Sequence, residues 1–174
     1  IKRKNEGLNP ANSIWFWGEG QTPSLTPFKD KYNLTGSVVA AVDLVKGIGI
    51  SAGLKAVEVE GATGSIETNF TGKAEAAINE LKSGQDFVYI HIESPDEAGH
   101  QGSLEKKIWA IEQIDKQVVG LVCSKLEEFD DIRILLLPDH PTPLSVKTHT
   151  SDPVPFMLFD KNQPVKNELD TYDE

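Results

Sequence analysis

The 174-residue chain is long enough for one substantial hydrophobic core, and its 39% hydrophobic and 25% charged residues are ordinary for a globular domain. A formal net charge of −10 excludes broad nucleic-acid binding, which needs a cationic stripe to displace counterions, and it repels an anionic substrate unless a lysine, an arginine or a bound cation corrects the field locally. No run of about 18 apolar residues offers a membrane-spanning helix, no signal-peptide pattern opens the chain, and a lone cysteine, Cys123, forms no internal disulfide, so the expected setting is a reducing, cytoplasmic one.

In chain order, residues 1–35 are rich in Pro, Gly, Asn and Thr and read as connecting structure. Within them the apolar run of SIWFWGEG (13–20) predicts a short strand and a turn. In SVVAAVDLVKGIGISAG (37–53), the apolar positions 38, 39, 42, 45 and 48–50 predict a helix ending near Gly47 or Gly49. KAVEVEG (55–61) alternates and predicts a strand; TGKAEAAINELKSG (71–84) predicts a short amphipathic helix with Thr71 as N-cap and Gly84 beyond its end.

DFVYIHIE (86–93) is the next predicted strand. Residues 103–128 give the clearest helix, capped by Ser103, with one apolar face at 104, 108, 111, 114, 118, 121, 122 and 126 and Cys123 buried within it. IRILLLP (132–138) is nearly continuous in apolar side chains, as a central strand covered on both faces would be, and PVPFMLFD (153–160) predicts a further strand. Strands alternating with helices predict an α/β fold, a largely parallel sheet between helical layers. The only methionine is Met157, and the polar opening IKRKNEGLNPANS and acidic close NELDTYDE read as the ends of a fragment.

Ligands of such sheets collect beyond the carboxyl ends of the strands. Three segments carry metal-ligand chemistry to that rim: SPDEAGH after strand 86–93, PDH after strand 132–138, and KTHTSDPVPF before strand 153–160. Asp96 and His100 are spaced four apart, so a single helical turn would aim both at one ion. Asp139 and His140 are adjacent and diverge unless a sharp turn, favoured by Pro138 and Pro141, presents both. His149 sits in a loop of small polar residues, free to point inward. Each signal is weak alone, and convergence on one rim is what lifts them. Nitrogen-plus-carboxylate shells suit Zn²⁺ or Mn²⁺ and fit Ca²⁺ poorly, and the five residues fall short of two full coordination shells. His91 reads as a core or supporting residue, and Glu93, Glu97 and Asp152 as spare carboxylates that support ligands.

The segments HIESPDEAGHQG, LPDHPTP and THTSDPVPF, in that order, together with EVEGATG, AVDLVKGIG and IWFWGEG, resemble the cofactor-independent phosphoglycerate mutases of the archaeal type, in the alkaline phosphatase superfamily. The resemblance implies a three-layer α/β/α core and a two-metal centre, manganese or zinc, interconverting 3-phosphoglycerate and 2-phosphoglycerate through a phosphoserine. It matches Asp96, His100 and His149 to one ion and Asp139 and His140 to the other. It also implies that an aspartate and the nucleophilic serine lie upstream of residue 1, that residues 1–35 return from a substrate domain, and that residues 36–174 form the carboxy-terminal part of the metalloenzyme core. On that basis the isolated piece is expected to be inactive and to hold at most one ion well. Lys46 is read either as a phosphate-facing cation or as a solvated helix lysine. Two other readings stand beside this one: another phosphotransferase or hydrolase of the superfamily, such as a phosphopentomutase, and a non-catalytic domain whose acidic surface binds a protein partner. The last would be favoured if Asp96, His100 and His149 lay more than about 8 Å apart, since ligation of one ion needs bonds near 2 Å.

Overall fold

The computed structural model describes residues 2–16, 18–163 and 172. Its elements in order are α1 (Lys2–Asn5), α2 (Phe28–Tyr32), β1 (Gly36–Val39), α3 (Asp43–Ser51), β2 (Lys55–Val57), α4 (Phe70–Lys82), β3 (Phe87–Ile90), α5 (Ser94–Gln101), α6 (Leu104–Gln113), a π-helical segment Ile114–Val119, α7 (Gly120–Ser124), a 3-10 turn Leu126–Glu128, β4 (Arg133–Leu136) and β5 (Met157–Asp160). The fold is α/β. Strands β2, β1 and β3 form a parallel sheet in that spatial order, while β4 and β5 pair antiparallel as a separate ribbon.

The stretch from Ser37 expected as one helix ending near Gly47 or Gly49 is instead strand, loop and helix. β1 is the central strand, and Ser37, Val38 and Val39 are fully buried between β2 and β3. A short apolar run has no decisive period, and the β-branched Val38–Val39 pair suits a pleated strand buried on both faces. α3 then packs back over it. Gly49 is pressed against the Val38 side chain, where an added Cβ would come within 2.5 Å. That close approach is the reason for a glycine in mid-helix.

α4 lies on the sheet, and Phe70 and Ala74 meet Val118 in a core lined by Ile90, Ile92, Ile114, Leu121 and Val122. Its N-cap is Asn69, whose side chain accepts from Gly72 N–H at 2.8 Å, and not Thr71, which instead donates to Gln117 Oε1 at 2.9 Å. Glu80 ties this helix to two strands: its carboxylate accepts from Ser37 Oγ and from Lys55 Nζ, each at 2.6 Å.

Four further expectations are corrected. Residues Ser13–Phe16 and Gly18–Gly20 form no strand and are exposed, and Trp17 lies outside the described residues. The helix predicted over 103–128 keeps its Ser103 cap, but a π-helical segment breaks it, and only the later positions of its apolar face reach the core; Leu104, Ile108 and Ile111 face outward and Ala110 is buried in their place. An inserted π turn slips the helical phase, so a face that is continuous in sequence is divided in space. Cys123 is exposed. β4 is half-exposed and pairs only with β5 among the described strands, so it is not a strand covered on both faces.

A paired substitution tests the α3–β1 contact. Gly49→Ala should lower stability to urea by about 1–3 kcal/mol through overpacking against Val38. Gly47→Ala, where an added Cβ meets nothing within 4 Å, should be neutral or gain up to about 1 kcal/mol of helix propensity.

Candidate metal centre

The site gathers at the carboxyl ends of β3 and β4. β3 ends at Ile90 and the chain turns through His91–Glu93 into α5, where Pro95 occupies the first turn and Gly102 in the left-handed conformation closes the end. This is the single helical turn anticipated from the Asp96–His100 spacing, and His100 Nε2 comes to 3.3 Å from Asp96 Oδ2. Beyond β4, the bend at Asp139–His140 does present both side chains. Asp139 Oδ1 accepts from the His140 backbone N–H at 3.1 Å, and Asp139 Oδ2 lies 3.3 Å from His140 Nε2.

His149 precedes β5, which in a parallel sheet would put it at the opposite rim. The antiparallel pairing of β5 with β4, with Leu136 opposite Met157, returns it to the same side. There His149 Nε2 lies 3.3 Å from Asp96 Oδ1 and 3.2 Å from His100 Nε2, and its ring lies against that of His140, tilted by 30° with centroids 3.7 Å apart. Asp96, His140 and His149 each offer a ligand atom within 4.8 Å of the others. His140 therefore stands between the two ligand groups implied by the resemblance, in touch with both. Separations of this size do not favour the non-catalytic reading, which Asp96, His100 and His149 lying far apart would have supported.

Thr142 is a participant that the sequence reading missed. Its side chain is buried, its hydroxyl donates a short hydrogen bond to Asp96 Oδ1, and it lies 3.4 Å from His140 Nδ1. Its carbonyl accepts from Lys107 Nζ at 2.7 Å, and Gly99 allows α5 to approach that carbonyl so closely that a Cβ would stand 2.6 Å from it. A threonine after a PDHP turn carries no signal of its own in sequence; only the docking of α5 against the 139–143 loop gives it a role. His100 is held likewise, with Nδ1 3.0 Å from the Lys147 carbonyl, which fixes the tautomer that leaves Nε2 free to accept.

Behind Asp139 stands a buried ionic group. The Lys73 side chain is wholly enclosed and donates to Glu93 Oε2 at 3.1 Å and to the His91 carbonyl at 3.0 Å. Glu93 Oε1 lies 3.0 Å from His91 Nδ1. Burial pushes the Lys73 ammonium below its ordinary pKa against the opposing pull of Glu93. Burial alone would raise Glu93, but the hydrogen bond from His91 and the charge of Lys73 outweigh it and hold the carboxyl at about 2. The Glu93 hydrogen bond raises His91 in spite of its partial burial. The Glu93 carboxylate is thus bound to Lys73 and His91 and to none of the five expected ligands, whereas Glu97 and Asp152 make no side-chain hydrogen bond or ion pair among the described residues. Lys46 is not left to solvent: its ammonium is paired with Glu58 at 2.8 Å.

A carboxylate and imidazole nitrogens drawn to one point, their other atoms bound by Thr142 and Lys147, form a donor set suited to a borderline divalent cation. The chain belongs to the Metalloenzyme superfamily, whose family model matches residues 2–172, and membership implies use of divalent metal. It is 51% identical over its whole length to a 2,3-bisphosphoglycerate-independent phosphoglycerate mutase of Methanosarcina mazei, and 38% identical over 92% of its length to one of Methanocaldococcus jannaschii. A solved structure from Pyrococcus horikoshii, 34% identical, superposes on 77% of the chain with a TM-score of 0.71, and the chain covers 40% of that protein. The chain spans 44% of the length of the Methanosarcina relative.

Two measurements test the supporting groups. Thr142→Val keeps the side-chain shape but removes the hydroxyl on Asp96, and should weaken Zn²⁺ or Mn²⁺ binding on the order of 10- to 100-fold by calorimetry. Glu93→Gln leaves the Lys73 charge buried without its counterion and should cost about 3–5 kcal/mol in urea unfolding near pH 6. Glu93 has a depressed native pKa, so its contribution is complete above the ordinary value of 4.5 and is lost as pH falls toward about 2. The gap between wild type and variant should narrow over that interval and in no other direction.

Proposed function

We propose that this chain is the ligand-bearing part of a bisphosphoglycerate-independent phosphoglycerate mutase, a cytoplasmic enzyme that interconverts 3-phosphoglycerate and 2-phosphoglycerate. Residues 36–174 supply the metal-binding part of its core, and residues 1–35 the connection to the substrate-binding part. The observation that carries the reading is the convergence at one sheet rim of Asp96, His100 and His149, with contacts of 3.2–3.3 Å, and of Asp96, His140 and His149, whose ligand atoms lie within 4.8 Å of one another. The identity to the Methanosarcina mutase along the whole chain supports the choice of activity.

In this reading Asp96, His100 and His149 hold one ion, Asp139 and His140 contribute to a second, and the metal is Mn²⁺ or Zn²⁺. Such ions, when bound, supply Lewis acidity for the phosphoryl oxygens and lower the pKa of an attacking hydroxyl. The work of the chain is to keep the donors deprotonated and aimed. Thr142 satisfies one oxygen of Asp96, the Lys147 carbonyl sets the His100 ring, and Gly99 lets the two supporting segments close on each other. Anionic substrate must overcome the field of a chain with net charge −10, which the cations offset locally. In this reading the nucleophile is the upstream serine that the resemblance implies, and the state of Ser94 agrees with that: it is fully buried and its hydroxyl donates to the Ser65 carbonyl at 3.1 Å.

Calorimetry should show Mn²⁺ or Zn²⁺ bound at micromolar levels, with binding lost in Asp96→Asn and in His149→Ala. A chimera joining this chain to the remaining portion of the Methanosarcina mazei mutase should convert 3-phosphoglycerate in an enolase-coupled assay, with turnover abolished by chelator and by Asp96→Asn. A wild-type chain that binds neither ion would refute the reading.

A further inference from the structure

The loop that carries His149 places an unusual residue beside it. Lys147 holds a left-handed backbone, with φ of +58°, a conformation that strains a lysine and that glycine adopts freely. Its surroundings enforce it. The Lys147 N–H donates to the Pro143 carbonyl at 2.8 Å, and the Lys147 carbonyl is the one that meets His100 Nδ1 at 3.0 Å. Setting the His100 ring uses only this backbone, which a glycine would supply without strain. The lysine side chain therefore needs a reason of its own.

That side chain is laid across the end of α5. Gly102 leaves the room: a Cβ there would stand 2.9 Å from Lys147 Nζ and closer still to Cε. Two other lysines at this corner are engaged, Lys106 with Gln101 Oε1 at 2.9 Å and Lys107 with the Thr142 carbonyl at 2.7 Å. Lys147 is exposed, and its ammonium makes no hydrogen bond or ion pair among the described residues. A cation beside a helix C-terminus gains from the helix dipole, but a lysine on ordinary backbone would gain as much. Lys147 meets the Nδ1 side of His100, while Nε2 of the same ring faces Asp96 and His149. It stands an imidazole's width behind the donor atoms, placed for the far end of a bound molecule and not for the group at the ion.

We propose that Lys147 is a substrate-binding residue whose ammonium takes the carboxylate of phosphoglycerate while the phosphoryl group lies at the metal centre. The inference rests on the reading of this chain as part of a phosphoglycerate mutase, and adds a contact for the second anionic group of the substrate. A chain of net charge −10 repels both groups; bound cations offset one, and a free ammonium at the margin of the site offsets the other. The phosphoryl group is one carbon nearer the carboxylate in 2-phosphoglycerate than in 3-phosphoglycerate. A point charge on a flexible four-carbon stem can follow that change, as a rigid guanidinium fork does less readily.

Calorimetry on the Zn²⁺-loaded chain tests this with two probes, 3-phosphoglycerate and glycerol 3-phosphate, which keeps the phosphoryl group and lacks the carboxylate. The wild type should bind 3-phosphoglycerate the more tightly. Lys147→Gln should weaken 3-phosphoglycerate on the order of 10-fold, leave glycerol 3-phosphate and Zn²⁺ binding unchanged, and unfold at the same urea midpoint as wild type. Lys147→Arg should keep most of the preference. A zinc-binding wild type that binds neither probe, or both equally, would overturn the inference and leave the proposed function standing. So would an equal loss of both probes in Lys147→Gln, or lowered stability with the preference intact, which would make the residue a cap for the end of α5. A wild type that binds no Zn²⁺ would overturn both.

Discussion

The ion pair between Lys73 and Glu93 is the constraint on which the site depends. A fully enclosed ammonium cannot be left alone, because the cost of an unpaired buried charge is several kcal/mol. Its counterion has to reach it from the stretch just past β3, so the position of that stretch is set by α4 and the core beneath it. Once Glu93 is fixed, α5 starts at the next residue, and Asp96 and His100 follow at the helical spacing that puts both on one side. The chain of dependence thus runs from the interior outward: core, buried pair, helix start, candidate ligands.

The second half of the site depends on strand direction. A loop before a parallel strand would have left His149 at the wrong rim, and the antiparallel return of β5 brings it beside Asp96 and His100. The two halves are then closed against each other by contacts with little chemical character of their own. Gly99 supplies space, Thr142 a hydroxyl and a carbonyl, and Lys107 the donor that satisfies that carbonyl. Such groups decide whether donor atoms meet within a fraction of an ångström, which is the tolerance that shared ligation demands.

Electrostatics give the arrangement its purpose. Carboxylates and imidazoles at 3.2–3.3 Å are an economical resting place for protons or for a cation, and the acidic surroundings favour the cation. The Metalloenzyme family match is consistent with that preference. The same acidic balance repels any anion until a cation corrects it, so the site and the net charge of the chain belong to one argument.

Much of this was legible in the order of residues. The Asp-x-x-x-His spacing, the Pro-Asp-His-Pro turn and the loop histidine named the candidate ligands, because helical periodicity and proline geometry are local properties of the backbone. Alternation and period likewise placed α4, β3 and the Ser103 cap. What failed were the inferences that need a neighbour. The 38–50 run was misread since β1 is a strand only when β2 and β3 flank it, and the stripe at 104, 108 and 111 was taken as buried because a pattern shows which residues prefer burial and not what covers them. The amino-acid order by itself determined which side chains have metal chemistry and roughly where each stands along its element. Tertiary structure alone decided that they meet, that Thr142 holds Asp96, and that a buried lysine stands behind His91, since hydrogen bonds and ion pairs act over a few ångströms of space while the residues involved are 18 to 53 positions apart.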